Sequence, residues 1–107
     1  MSFRAGQIVW ALIPDSKSKG AVIRPALIVE VYGIDCRVVA ITSSFNEHHL
    51  APHEIRLPRN NVTNLPKESV VCCNWPHVVL LEGLKPLGSV DFVVVARAKR
   101  LLQSWRP

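Results

Sequence analysis

The chain has 107 residues and a mass of 11.9 kDa, room for one domain spanning residues 1–107 with a core of its own. Hydrophobic residues at 49% against 20% charged exclude a disordered chain, and no apolar run reaches the ~20 residues that cross a bilayer. Thirteen Lys and Arg against eight Asp and Glu leave a net charge of +5, which points to a polyanionic partner, either nucleic acid or an acidic protein segment.

Residues Met1 to Gly6 do not lead into a signal-peptide pattern, so a cytoplasmic location is expected. Gln7 to Ile13 reads as a strand stopped by Pro14, and Asp15 to Gly20 as a polar loop. A second strand runs from Pro25 to Tyr32, with proline at its first residue, where a missing N–H is tolerated. Gly33 to Asp35 turns into a third strand, Cys36 to Thr42, which predicts a hairpin. A long polar segment from Ser43 to about Pro66 is broken by the alternating stretch Glu54 to Leu57. Ser69 to Cys73 is another strand and Val78 to Leu81 a further one. Such near-continuous apolar runs suit a small closed barrel better than a sheet wet on one face.

The tail changes character. Ser89 is placed to cap a helix with Asp91 in its first turn, and Val94, Ala98, Leu101, Leu102 and Trp105 lie near helical spacing. The β-branched run Val93 to Val95 argues for a strand, but the capping signal and the basic residues Arg97, Lys99 and Arg100 favour a helix. The expected fold is therefore mainly β, a five- to seven-stranded antiparallel barrel with a C-terminal helix.

Three candidate constellations stand out. Arg24-Pro25 sits where the basic loop becomes a strand; proline confines its predecessor to extended geometry and holds the guanidinium at the barrel rim. A planar fork of donors matches phosphate oxygens, and Thr42-Ser43-Ser44, at the end of the adjacent strand, brings hydroxyls near it. A plain surface arginine and an ordinary polar strand end are the competing reading. Asn74-Trp75-Pro76-His77 offers a ring to stack on a base, polar groups for base edges, and an imidazole for acid–base chemistry, against a tryptophan that merely packs in a loop. His48, His49 and His53 lack the paired spacing of a zinc site, and Pro52 opposes the helix they would need, so no metal or other cofactor is expected. Cys36, Cys72 and Cys73 read as reduced, buried thiols, with the adjacent pair on opposite faces of a strand. No Gly-rich phosphate loop, nucleophile elbow or paired carboxylate is present.

In order, Gly6-Gln7-Ile8-Val9-Trp10, Arg24-Pro25-Ala26-Leu27-Ile28-Val29, Val39-Ala40-Ile41-Thr42-Ser43, Ser69 to Pro76 and a closing helix resemble the MazF/PemK toxin family over nearly the whole chain. The resemblance implies an SH3-like barrel of the CcdB/PemK type and a homodimer. It also implies a metal-independent endoribonuclease that cuts single-stranded RNA and is neutralised by an acidic antitoxin. By position, Arg24 would stabilise a pentacovalent phosphorane formed by 2′-hydroxyl attack and Thr42 would orient the phosphate. Lys17, Lys19, Ser43, Asn74 and Trp75 would bind RNA. The resemblance departs where PemK-like members carry an arginine and an aspartate as acid and base: Cys72 and Asn74 stand there, and Trp75 and His77 replace a glutamine and an arginine. Either His77 has taken over proton transfer, or the chain is a non-cutting relative, a nucleic-acid-binding module or a CcdB-like gyrase inhibitor. The end Ser104-Trp105-Arg106-Pro107 does not resemble the C-terminus on which the last activity depends.

Overall fold

The computed structural model describes residues 2–14 and 20–104. Within them lie β1 (Gln7–Pro14), β2 (Ala21–Tyr32), β3 (Asp35–Thr42), β4 (Glu54–Leu57), β5 (Ser69–Leu80), β6 (Lys85–Ser89) and α1 (Phe92–Ser104). The strands form one antiparallel sheet in the order β4-β5-β3-β2-β1-β6, curled into a half-barrel. No helix among the described residues is long and apolar enough to cross a membrane.

Both faces of this sheet are covered, which is why its strands read as unbroken apolar runs. Alternate residues Ile8, Leu27, Val29, Val39, Ile41, Val71 and Cys73 join Ile55, Leu57 and Leu65 and the helix residues Ala98 and Leu102 in one cluster. Their neighbours Val9, Ala11, Ile13, Ala26, Ile28, Val38 and Ala40 form a second cluster, against which Phe3, Trp75, Val79, Leu81 and Leu84 pack. Each fully buried Val, Leu or Ile contributes roughly 1.5–3 kcal/mol, so the sheet holds its own shape and its rim can carry polar groups.

The β2–β3 hairpin forms as expected, pairing Ala26 with Ala40 and Tyr32 with Asp35. Three features differ from the sequence expectation. First, Ser69 to Leu80 is one strand, not two strands around a loop: pairing with β3 jumps from Ile41–Val71 to Val39–Pro76, so residues 72–75 bulge opposite Ala40. The β4–β5 ladder stops at Glu54–Cys72, with one further bond from the Cys73 N–H to the His53 carbonyl, so by Pro76 β5 pairs with β3 alone, a setting that tolerates proline. Second, Lys85–Ser89 forms β6 despite its proline and glycine, because it is an edge strand paired only with β1. Third, Asp91 rather than Ser89 caps α1: its Oδ1 accepts the Val93 N–H at 3.2 Å.

The ladder itself does not close between β4 and β6. The loop after β4 spans the gap instead, with the Ser89 N–H donating to the Val62 carbonyl at 3.0 Å and the Asn64 side-chain amide to the Leu87 carbonyl at 2.9 Å. α1 lays Ala98 and Leu102 on the first cluster with Val94 and Leu101 beside them; Val95, which the spacing had not assigned to the core, is also buried. The candidate residues Lys17 and Lys19, and the proposed helix residue Trp105, lie outside the described residues.

Candidate functional site

Arg24 and Thr42 reach the rim from neighbouring strands. Arg24 pairs with Ala11 of β1, two residues before Ala26, whose pairing with Ala40 ends the β2–β3 ladder; Thr42 ends β3 two residues beyond Ala40. Both line a cavity of about 270 Å³ together with Trp10, Pro25, Ser43 and Lys67. Thr42 Oγ1 accepts the Ser44 N–H at 3.1 Å, which fixes the oxygen and leaves the hydroxyl proton for an acceptor.

Arg24 has no carboxylate within ion-pair distance among the described residues. Its Nε is buried without a hydrogen-bond partner, a state that typically costs about 1–3 kcal/mol when nothing fills it. On the side of the bulge, the guanidinium carbon stands 5.0 Å from the centroid of the Trp75 ring. His77 meets the same ring edge-on, with centroids 5.6 Å apart and planes at 63°, and its Nε2 is likewise buried without a partner. Burial, and then the positive charge of Arg24, hold the His77 imidazole below its usual pKa, so it is neutral at neutral pH. Two orphaned nitrogens and a charge with no counter-ion among the described residues therefore gather around one indole ring.

The thiols of the bulge are no substitute for an acid–base pair. Burial, reinforced by the Glu54 carboxylate and opposed by Arg24, pushes Cys72 up to about 11. Burial and Cys72 push Cys73 to about 11, and burial raises Cys36 as well. All three are free and buried, as expected, and none is a nucleophile at neutral pH.

Of the sequence candidates, Arg24, Thr42 and Ser43 share the cavity, while Trp75 and His77 flank the arginine from the bulge. Asn74 is half-buried in that bulge and is not part of the cavity lining. His48, His49 and His53 form no metal-binding group of three ligands with other side chains among the described residues. Lys67 and Trp10 were missed. Lys67 also lines an adjoining cavity of about 390 Å³ with Ser43, Phe45 and Arg59, where the carboxylates Glu47 and Glu68 balance the two cations. The signal for Lys67 was available, since Pro66-Lys67 ends the polar segment just before β5. Trp10 follows from its pairing with Pro25, which only the register reveals.

A curled antiparallel sheet with a C-terminal helix and a rim cavity lined by an arginine and a threonine defines a small half-barrel protein of the MazF structural type. Residues 4–105 match the family of PemK-like, MazF-like toxins of type II toxin-antitoxin systems, and the chain belongs to that family. Among solved structures, MazF from Deinococcus radiodurans is similar over 97% of this chain and 96% of that one, with a TM-score of 0.71 and 23% identity, a likeness of fold. No curated protein matches it in sequence.

Proposed function

We propose that this chain is the toxin of a type II toxin-antitoxin pair and a metal-independent endoribonuclease acting on single-stranded RNA. The observation that supports it most is the cavity shared by Arg24, whose guanidinium has no carboxylate partner among the described residues, and Thr42, whose hydroxyl oxygen is fixed by the Ser44 N–H. A phosphodiester in that cavity accepts hydrogen bonds from both. His77, neutral at neutral pH, takes the proton of the 2′-hydroxyl as its oxygen bonds to phosphorus. Negative charge growing on the phosphoryl oxygens is met by Arg24. The bond from phosphorus to the 5′-oxygen then breaks, the leaving oxygen takes a proton from a water that is in turn reprotonated from His77, and a cyclic phosphate and a 5′-hydroxyl remain with His77 neutral again.

An acidic antitoxin segment is the complementary protein partner, on charge grounds. A homodimer fits the exposed apolar residues Leu12, Ile23 and Leu80 around two shallow cavities. The test is incubation of the purified chain with long single-stranded RNA in EDTA. Cleavage is expected, slowed in Thr42→Val; salt-sensitive RNA binding without cleavage products would instead favour the non-cutting binding module.

A further inference from the structure

We propose that Trp75 is a positioning residue that holds the Arg24 guanidinium toward the cavity, and not a platform on which an RNA base stacks; this rests on the ribonuclease reading above. Arginine ends a long, flexible stem, and its reach from β2 into a rim cavity leaves many rotamers open. The bulge of β5 removes that freedom. Residues 72–75 have only Ala40 opposite them on β3, and the extra chain length carries Trp75 across to β2, where the guanidinium carbon lies over its ring at 5.0 Å. The rest of the indole packs against the second apolar cluster and meets His77 at its edge.

A base needs a free aromatic face. Here a face carries the guanidinium and the body of the ring is packed, so the ring serves as a wall. The buried, unpartnered nitrogen of Arg24 is Nε alone, which leaves the terminal NH₂ groups as the donors for the cavity. Tryptophan offers the strongest cation–π surface of the aromatic residues.

The test compares Trp75→Leu and Trp75→Phe with the native sequence by two readouts. The first is the Arg24 Nε–Hε NMR resonance, assigned by its loss in Arg24→Lys. A proton held over an indole is shifted upfield and exchanges slowly. The shift is expected in the native chain, lost in Trp75→Leu and largely kept in Trp75→Phe. The second is steady-state cleavage of single-stranded RNA in EDTA. Trp75→Leu is expected to lower kcat about tenfold with KM within about twofold, and Trp75→Phe to recover most of it.

A raised KM with unchanged kcat and an unmoved Arg24 resonance would mean that Trp75 stacks on RNA, and would overturn the proposal. If the native chain leaves RNA intact, the ribonuclease reading fails, and the resonance still decides the positioning role in all three proteins. If Trp75→Leu unfolds, the native and Trp75→Phe spectra decide it: an Arg24 resonance at the position of an exposed arginine overturns the proposal, an upfield one upholds it.

Discussion

Alanine at position 88 adds one methyl group where the curled sheet is completed by a loop rather than by a strand. A Cβ there would overlap the carbonyl carbon and oxygen of Thr63 and stand 2.6 Å from the Val62 carbonyl oxygen. These are backbone atoms, so no rotamer change relieves the clash and the loop must lift. Lifting it removes the bonds from Ser89 to Val62 and from Asn64 to Leu87, at roughly 1 kcal/mol each. It also loosens Leu65, only 3% exposed and part of the first cluster, at about 1–2 kcal/mol. The expected loss is about 3–4 kcal/mol, which lowers the thermal midpoint by some 12 °C or more at ~4–8 °C per kcal/mol. Urea melts followed by far-UV circular dichroism measure it. Gly33→Ala is the control: its φ of 68° strains an L-residue but nothing lies within 4 Å, so about 1–2 kcal/mol is expected. A Gly88→Ala loss no larger than that of Gly33→Ala would refute the closure described here.

Three further outcomes follow from the same geometry. His77 titrates below its ordinary 6.5 in the folded chain, so the unfolded chain binds more protons just below that pH; stability is expected to fall as pH drops below 6.5, and His77→Gln to flatten that dependence in thermal melts. With Cys72 and Cys73 pushed up to about 11, roughly one thiol in a thousand is ionised at pH 8, so a thiol-specific disulfide reagent should leave the native chain unmodified over minutes and titrate all three cysteines once it is denatured. Lys67→Ala removes a cation from both adjoining cavities and should weaken RNA binding while lowering the slope of log affinity against log salt by about 0.7, measured by fluorescence anisotropy; an unchanged slope would place the phosphates elsewhere.

Much of this fold was legible because its strands obey local rules. The β2–β3 hairpin followed from Gly33 between two β-branched runs, and the helix from a capping signal at Ser89 followed by apolar spacing, although Asp91 and not Ser89 does the capping. What escaped were features set by neighbours. Lys85–Ser89 carries turn-like residues and becomes a strand only because β1 offers an edge. Asn74-Trp75-Pro76-His77 looks like a loop and is a bulged strand, because the β4–β5 ladder stops where the bulge begins.

The candidate site divides the same way. Arg24 and Thr42 were found from Pro25 and from the polar end of β3, both local facts, although β2 begins at Ala21 and so carries Arg24 and Pro25 inside the strand rather than at its entry. The contact between Arg24 and Trp75 is separated by 51 positions and depends on the bulge, so no spacing announces it. Lys67 and Trp10 enter the cavity from β5's lead-in loop and from β1, brought there by the curl of the sheet.

The most direct measurement is end-group analysis of RNA treated in EDTA with the native chain and with Arg24→Ala, after confirming that both fold. Fragments ending in a cyclic phosphate and beginning with a 5′-hydroxyl are expected from the native chain, and about 10²–10³-fold fewer from the variant, the usual cost of losing one preorganised donor to developing charge. Equal yields from the two proteins would show that the guanidinium at the rim does not carry the reaction.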